Sequence, residues 1–268
     1  MTAPLHSPLY PGIVARLRAA GCVFAEEEAE LLLGAAESPE AVEALVLRRA
    51  EGGEPLEYVL GWARFCGLRI EVDPGVFVPR PRTEFLVERA AAEARDGAVV
   101  VDLCCGSGAL GAALAERLGA PDRPAELHAA DIDPAAVRCA ARNIARYGGH
   151  VWEGDLFTAL PGSLRGRIDV LLANTPYVPT QDIPFLPSEA RDHEARVALD
   201  GGTDGLAVMR RVAAAAREWL APGGIVLVES SDRQAASAVA AFAAGGLDAQ
   251  AVSSDEYEAT VVAGRRAW

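Results

Sequence analysis

The hydrophobic pattern divides the chain into a helical first part and a second part in which short apolar runs alternate with longer amphipathic ones. Over residues 9–52, apolar positions recur every three or four residues, as at Ile13 and Leu17. This is the spacing of one face of a helix. We therefore predict a small helical domain over residues 1–53.

Residues 54–83 change character. The stretches Tyr58-Val-Leu-Gly-Trp62 and Phe65-Cys-Gly-Leu-Arg-Ile-Glu-Val72 are short, β-prone and interrupted by glycine. Such a pattern is typical of a hairpin. We predict a β-hairpin that links two domains, followed by a helix over residues 84–96.

From residue 98 onward, strands and helices alternate. Strands are predicted at 98–103, 126–131, 168–173, 225–229 and 259–263, with a short one near residue 150. Helices are predicted at 108–119, 134–147, 203–220 and 232–244. Near-continuous apolar strands separated by helices indicate a parallel sheet covered on both faces. We predict an α/β fold with a Rossmann-like sheet in residues 84–268.

Composition and charge narrow the possible ligands. The 268 residues are 51% hydrophobic and carry a net charge of −13. Binding to a nucleic-acid backbone requires clusters of basic residues, so we expect no direct nucleic-acid binding. No apolar run reaches the roughly 18 residues of a membrane span, and residues 1–8 lack the pattern of a secretory signal. We expect no membrane interaction.

The cysteines and histidines form no metal or disulfide pattern. The five cysteines are odd in number, include the adjacent Cys104 and Cys105, and show no C-x-x-C spacing. The four histidines form no H-x-x-x-H pair. We predict no metal, and reduced cysteines of the kind found in cytoplasmic proteins.

A glycine-rich turn follows the predicted strand at 98–103. In Asp102-Leu-Cys-Cys-Gly-Ser-Gly108, Gly106 and Gly108 allow a sharp turn and a close approach of the backbone to a ligand. The next helix directs its N-terminal amides at that ligand. With Gly111 the spacing is also the dinucleotide fingerprint, so this motif alone fits NAD or S-adenosylmethionine.

Asp131 ends the next predicted strand. A carboxylate at this position can accept hydrogen bonds from ribose hydroxyls, which again fits either nucleotide. Asp131 or Asp133 could instead cap the helix that begins at Pro134. We assign the cap to Asp133 and the ribose to Asp131.

The segment Asn174-Thr-Pro-Tyr177 follows the strand at 168–173. It resembles the Asn-Pro-Pro-Tyr motif of amino-methyltransferases, with Thr175 in place of the first proline. The alternative is a plain turn rich in Asn and Pro. Ligands bind at the carboxyl ends of parallel strands, so Asn174 would lie beside the cofactor. A dehydrogenase has no use for this sequence, and the motif therefore favours S-adenosylmethionine over NAD.

Nearly the whole chain resembles the protein N5-glutamine methyltransferases that modify peptide-chain release factors. The matching segments are Glu54-Pro-Leu-Glu-Tyr-Val-Leu-Gly61, Phe77-Val-Pro-Arg-Pro-Arg-Thr-Glu-Phe-Leu-Val-Glu88, Asp102-Leu-Cys-Cys-Gly-Ser-Gly108, Asn174-Thr-Pro-Tyr177, Ala198-Leu-Asp-Gly-Gly-Thr-Asp-Gly-Leu206 and Leu220-Ala-Pro-Gly-Gly224. The chain departs from the family where Arg82 replaces Glu, Cys104 replaces Gly and Thr175 replaces Pro.

The resemblance implies an S-adenosylmethionine-dependent N-methyltransferase that acts on an amide nitrogen, with a protein glutamine as acceptor. Asn174 would accept one N–H of that amide through its side-chain carbonyl and Thr175 the other through its backbone carbonyl. Pro176 would keep Thr175 extended, and Tyr177 would pack against the planar amide. The helical domain would recognise the substrate.

The resemblance also implies a set of cofactor-binding residues. Arg82, between two of them, is expected to be a solvated surface charge. The expected cofactor-binding residues are Arg80, Thr83, Asp102, Cys104, Cys105, Gly106, Ser107, Gly108, Asp131, Ile132, Asp155, Leu156 and Asn174.

Other functions stay open on sequence alone. The acceptor could be a small molecule or a peptide natural product carrying an amide or amine. An adenine-N6 nucleic-acid methyltransferase uses a similar motif, but the net charge of −13 and the lack of a basic platform for base flipping disfavour it. A module that binds S-adenosylmethionine without catalysis belongs to a different class.

Overall fold

The computed structural model of the protein describes residues 7–119 and 122–268. The expectation that the chain has no secretory signal concerns mainly residues 1–6, which lie outside these ranges. Along the described chain, helices come first, a hairpin follows, and a sheet whose strands alternate with helices completes the fold.

The first part of the chain folds as helices around a core of its own. The Ser38 hydroxyl caps the third helix by accepting a hydrogen bond from the Ala41 amide at 3.2 Å. Leu17, Leu32 and Val46 are fully buried between the helices. The helices are α1 (Tyr10–Ala19), α2 (Ala25–Ala35) and α3 (Pro39–Ala50).

A buried ion pair joins this helical cluster to the second part of the chain. Arg49 in α3 donates to both carboxylate oxygens of Glu28, at 2.6 and 3.0 Å. Its Nη1 donates to Glu189 at 2.6 Å, and Glu189 belongs to the second part. A buried guanidinium must have partners, so Arg49 holds these elements in one arrangement.

The linking segment contains a short helix and the predicted hairpin. Helix α4 (Leu56–Leu60) precedes strands β1 (Trp62–Phe65) and β2 (Leu68–Glu71), which pair antiparallel. Phe65 and Ile70 are buried in the core of the second part, so the hairpin is packed against the sheet domain.

The main sheet has seven strands within the described ranges, in the order β5-β4-β3-β6-β7-β9-β8. Strands β3 to β7 run parallel, as predicted, and this is the α/β arrangement that the sequence indicates. The strands are β3 (Val99–Leu103), β4 (Glu126–Asp131), β5 (His150–Glu153), β6 (Ile168–Ala173), β7 (Leu220–Ser230), β8 (Asp248–Ser254) and β9 (Ala259–Arg265).

Two features of the sheet differ from the prediction. The last predicted strand, β9, is antiparallel to β7, because a tight turn joins it to β8 and the two form a hairpin. Strand β8 was not predicted. It is an edge strand with many exposed positions, so it lacks the apolar run that identifies the buried strands.

Helices cover both faces of the sheet. Consecutive residues of β3 face opposite sides, with Val100 in the core beneath α5, α6 and α7, and Val101 in the core beneath α10 and α11. The predicted two-sided α/β fold is confirmed. The helices are α5 (Glu84–Glu93), α6 (Ala109–Arg117), α7 (Pro134–Ile144), α8 (Ser188–His193), α9 (Arg196–Leu199), α10 (Ala207–Trp219) and α11 (Asp232–Ala244).

Residues 7–119 and 122–268 contain no helix that is both long and apolar enough to cross a membrane. They also contain no group of three His, Cys, Asp or Glu side chains arranged to hold a metal ion.

Candidate active site

A cavity of about 850 Å³ opens at the carboxyl ends of the parallel strands. This is the edge at which ligands bind in open α/β sheets. The structure brings most of the predicted site residues to it. Those that line the cavity are Arg80, Thr83, Cys104, Cys105, Gly106, Ser107, Asp131, Ile132, Asp155, Leu156, Asn174, Thr175, Pro176 and Tyr177.

The glycine-rich turn between β3 and α6 forms the floor of the cavity. Gly106 has φ +53°, a left-handed conformation that glycine adopts without strain. Gly108 does not line the cavity. A Cβ at Gly108 would lie 3.1 Å from Ala140 of α7, so this glycine allows two helices to pack closely. Gly108 thus has a packing role, and the cofactor contact predicted there stays a prediction.

Asp102 also does not line the cavity. It is 1% exposed, and its Oδ2 accepts a hydrogen bond from the Gly111 amide at 2.9 Å. Burial raises the pKa of this carboxyl to about 8. Because the side chain turns back toward the first turn of α6, Asp102 supports the loop from behind rather than contacting a ligand.

The prediction that Asp133, and not Asp131, caps the helix beginning at Pro134 is confirmed. The Asp133 carboxylate caps α7 by accepting from the Ala135 amide at 2.8 Å. Asp131 accepts from the Gly106 amide at 2.8 Å and from the Asp133 amide at 2.9 Å. Burial raises the pKa of Asp131, while these backbone donors oppose the shift. The Asp131 carboxylate is thus held at the cavity wall beside the glycine-rich turn.

The wall beyond Asp131 suits a nucleoside. Ile132 lines the cavity with 52% of its surface exposed, and with Leu156 it provides apolar contact for a planar base. Asp155 follows β5 and accepts a hydrogen bond from Arg211 of α10 at 2.6 Å. Carboxylates for hydroxyls, apolar side chains for a base and the amino end of α6 together fit S-adenosylmethionine.

The adjacent cysteines form part of the same turn. Cys104 has φ +53°, an uncommon conformation for a residue with a side chain. Burial raises the pKa of the Cys104 and Cys105 thiols, so both are protonated at neutral pH. Neither thiol is activated as a nucleophile, and these residues contribute to the cavity as backbone and packing.

Asn174 follows the carboxyl end of β6 and lines the cavity. Its Oδ1 is buried, and it accepts no hydrogen bond from any described residue. Leaving a buried carbonyl oxygen without a donor is costly, so such an atom indicates a ligand that supplies the donor. An amide or amine N–H would satisfy it.

Thr175, the next residue, is 2% exposed. Among the described residues, neither its backbone amide nor its backbone carbonyl takes part in a hydrogen bond. The carbonyl is therefore free to act as the second acceptor that the sequence predicts, and a proline here would remove no hydrogen bond.

Tyr177 is fixed from two directions. Its hydroxyl is hydrogen-bonded to Arg82 and lies 3.4 Å from an Oε1 of Glu229. Its backbone carbonyl accepts from the Gln234 side chain at 3.0 Å. Burial raises the pKa of the phenol, which stays protonated and can donate to Glu229.

The expectation that Arg82 is a surface charge is met in part, because its side chain is 48% exposed but also forms an ion pair. Its Nε donates to Glu229 at 3.1 Å, its guanidinium carbon lies 5.9 Å from the centre of the Tyr177 ring, and the residue lines the cavity. Glu229, at the end of β7, is 5% exposed and also accepts from the Thr83 hydroxyl. An acidic residue closing the apolar strand Ile225–Glu229 was the signal that sequence reasoning missed.

Arg80 is anchored in a similar way. Its Nη2 donates at 2.6 Å to Glu194, which is 6% exposed and also accepts from the Val78 amide. Glu194 directly follows α8, and Arg80 lies just before α5. The ion pair therefore connects these two parts of the cavity lining. The positive charge of Arg80 is balanced by that carboxylate.

The Asp-Gly-Gly-Thr-Asp-Gly segment lies directly behind the acceptor motif. A Cβ at Gly201 would lie 2.6 Å from the Pro176 carbonyl oxygen, and one at Gly205 would lie 2.2 Å from the Tyr177 carbonyl oxygen. The Gly201 amide also donates to the Val178 carbonyl at 2.9 Å. These glycines let one backbone support the other at contact distance.

Known proteins resemble this chain over most of its length. The methyltransferase small domain family matches residues 67–200. A release factor glutamine methyltransferase from Geobacter sulfurreducens is 42% identical over 204 residues, which is 75% of this chain and 69% of that protein.

Two further proteins are informative. A 4-amino-L-phenylalanine/4-methylamino-L-phenylalanine methyltransferase from Streptomyces pristinaespiralis is 37% identical, over 75% of this chain and 69% of its own length. A solved methyltransferase from Pyrococcus furiosus superposes with a TM-score of 0.56 at 18% identity, covering 75% of this chain and 90% of its own. The last likeness shows the shared fold.

Proposed function

The chain belongs to the release factor glutamine methyltransferase family, and on that premise we propose that it methylates the side-chain amide of a glutamine in a peptide-chain release factor. It is an S-adenosylmethionine-dependent methyltransferase. The observation that carries the proposal is the buried Oδ1 of Asn174, which has no hydrogen-bond partner among the described residues and which an acceptor N–H would satisfy.

The chain's own residues supply positioning and electrostatic support. When bound, S-adenosylmethionine supplies an electrophilic methyl group with a good leaving group. Asn174 Oδ1 and the Thr175 carbonyl accept the two N–H groups of the acceptor amide and so fix its nitrogen. Both oxygens also favour the positive charge that develops on that nitrogen during transfer. The braced ring of Tyr177 packs against the amide plane.

We call the side of the cavity formed by Gly106, Asp131, Ile132, Asp155 and Leu156 the cofactor wall, and we infer the roles of its residues from their positions. Asp131 would accept from ribose hydroxyls, and Ile132 and Leu156 would contact the base. Asp155, held by Arg211, would bind a polar edge of the nucleoside. Gly106 lets the backbone approach the ligand, while Asp102 and Gly108 keep that turn in place.

The predicted domain over residues 1–53, which contains helices α1 to α3, is the proposed recognition domain for the protein substrate. Arg49 joins it to Glu189, which lines the cavity, so a protein docked on the helices would have a fixed relation to the acceptor site. A net charge of −13 supports a protein acceptor rather than a nucleic acid. A translation factor as substrate implies a cytoplasmic reaction.

A small-molecule acceptor is the second candidate. The relative from Streptomyces pristinaespiralis is named for an aromatic amine, and its identity of 37% is close to that of the release factor enzymes. Asn174 could hold an aryl amine as well as an amide. The two candidates differ in the size of the acceptor and in its free carboxylate.

The test is a methyl-transfer assay with labelled S-adenosylmethionine and three acceptors. These are a purified bacterial release factor, 4-amino-L-phenylalanine and a fractionated cell extract. We expect label in the release factor, located by mass spectrometry on one glutamine. Label in the amino acid with none in the release factor would favour the second candidate, and the Asn174→Ala variant is the negative control.

A further inference from the structure

The Arg82 guanidinium has hydrogen-bonding capacity that the protein does not use. Its Nε donates to Glu229 and its Nη2 to the Tyr177 hydroxyl. Within residues 7–119 and 122–268, Nη1 donates to no acceptor. A guanidinium has more N–H donors than these two partners take, and the side chain is 48% exposed on the cavity wall.

These donors are held in a fixed direction. Glu229 is buried at the end of β7, and it is itself held by the Thr83 hydroxyl. The other side of the guanidinium is bonded to the braced Tyr177. A planar fork fixed on two sides loses little freedom when it binds a third group, which is the property of a recognition residue.

The local charge indicates what that group is. Glu229 already balances the charge of Arg82, and the carboxylate of Glu258 lines the same cavity. A carboxylate on the acceptor would therefore find no net positive charge at this point. A neutral carbonyl oxygen could still accept hydrogen bonds from the free N–H groups of Arg82.

We propose that Arg82 binds a main-chain carbonyl of the acceptor polypeptide beside the methylated glutamine, and so selects peptides over free amino acids. This inference rests on the proposed function. Arg82 lies next to Tyr177, which packs against the acceptor amide, so the carbonyl it meets belongs to the same short stretch of chain.

The contact predicts a specific kinetic signature. A hydrogen bond to the peptide backbone is made equally in the ground state and the transition state, so its loss raises KM and spares kcat. For Arg82→Met we expect KM for the release factor to rise by about tenfold or more, the scale of a hydrogen bond to a charged group. We expect kcat to stay within about threefold, and S-adenosylmethionine affinity within about twofold.

Tyr177→Phe separates this contact from a bracing effect. It removes the bond between Tyr177 and Arg82 but keeps the guanidinium. If Arg82 acted only through Tyr177, the two variants would share one kinetic profile and the double variant would add nothing. Because Glu229 still holds the guanidinium, we expect Arg82→Met to raise KM further in the Tyr177→Phe background.

Loss of Arg82 alone leaves Glu229 as an unpaired buried carboxylate, which can destabilise the fold. The double variant Arg82→Met with Glu229→Gln removes both charges and keeps the partner of Thr83. We expect it to fold as stably as the wild type and to show the same rise in KM. Arg82→Lys keeps the charge without the fork and should show an intermediate KM.

The outcomes distinguish the two levels of the argument. If wild-type enzyme methylates the release factor and the Arg82 variants keep a normal KM, or lose kcat alone, this inference is overturned and the proposed function stands. If wild-type enzyme does not methylate the release factor, whether or not it methylates 4-amino-L-phenylalanine, both the proposed function and this inference are overturned. If the release factor is methylated and KM rises in Arg82→Met both alone and combined with Glu229→Gln, the proposed function and this inference are both supported.

Discussion

The cofactor wall and the acceptor wall of the cavity are built in different ways. On the cofactor wall, the Asp131 carboxylate accepts hydrogen bonds from the backbone amides of Gly106 and Asp133. On the acceptor wall, Arg82, Tyr177 and Glu229 come from distant parts of the chain and meet through side chains. The bonds of the cofactor wall fix the conformation of the backbone turn, whereas those of the acceptor wall fix the relative positions of side-chain donors and acceptors.

The two walls also differ in whether their polar groups already have hydrogen-bond partners in the protein. The Asp131 carboxylate accepts from two backbone amides, whereas Asn174 Oδ1 has no partner among the described residues and Arg82 donates to them only through Nε and Nη2. Unused donors and acceptors in a buried site define the polarity of the ligand that fits. If the proposed function holds, the acceptor wall therefore sets the specificity of the enzyme for its methyl acceptor.

The largest expected effect is on the acceptor wall. Asn174→Ala removes the unpartnered acceptor, and we expect kcat to fall by about 10²–10³-fold, as when one preorganised polar group is deleted from an active site. Calorimetry should show cofactor affinity within about tenfold of the wild type. Asn174→Asp, which keeps an oxygen at this place, is the matched control. Normal turnover by Asn174→Ala would remove its assigned role.

The next effect is on the cofactor wall. Asp131→Ala should weaken S-adenosylmethionine binding by roughly 1.5–3 kcal/mol, or about tenfold to a hundredfold, because it removes charged acceptors. Asp133→Ala is the neighbouring control. It removes the cap of α7 and should lower stability by about 1 kcal/mol while leaving cofactor affinity within about threefold. Equal affinities for the two variants would contradict the assignment of the ribose contact.

Asp102 offers a test that concerns stability and pH. Its pKa is about 8 in the folded protein, above the ordinary value of an unfolded aspartate. As pH rises between these values, the unfolded chain releases the proton while the folded chain retains it, so this group makes the wild type less stable. The loss is complete once pH exceeds the folded pKa.

Asp102→Asn mimics the protonated carboxyl and can still accept from the Gly111 amide. We therefore expect its melting temperature relative to the wild type to rise between about pH 5 and about pH 9. Thermal unfolding at both pH values is the measurement. A difference that does not change with pH would show that Asp102 titrates normally in the folded protein.

The smallest expected effect concerns Thr175, where the chain departs from its family. Thr175→Val deletes the hydroxyl but keeps the backbone carbonyl, and we expect kcat within about threefold of the wild type. Thr175→Pro should also retain substantial activity, because no described residue accepts from the Thr175 amide. A fall of about a hundredfold for Thr175→Val, roughly 2.7 kcal/mol on the barrier, would show that the hydroxyl contacts the acceptor.

The same comparison explains what could be predicted from the sequence. The glycine-rich turn, the carboxyl ends of the strands and the Asp133 cap depend on local spacing, and their positions follow from the order of residues. The environment of Arg82 depends on Glu229, which lies 147 residues away. No local pattern connects the two, so the ion pair between Arg82 and Glu229 was not predicted.

The errors in the fold have a similar physical origin. An apolar strand buried on both faces, such as β9, has the same pattern whether its neighbours are parallel or antiparallel. The edge strand β8 lacks that pattern because much of it faces solvent. Asp102 and Gly108 belong to the nucleotide motif by spacing, yet the structure turns one toward Gly111 and packs the other on α7.

The contact of Gly201 and Gly205 with the backbone of Pro176 and Tyr177 also has a practical consequence for engineering. Any side chain at either glycine would push the acceptor motif out of place, since the added Cβ would overlap its carbonyl oxygens. Libraries designed to change the methyl acceptor should therefore hold both glycines constant. Position 82 lines the cavity, and diversity placed there in a Glu229→Gln background, which avoids an unpaired buried carboxylate, should yield folded variants with altered acceptor binding.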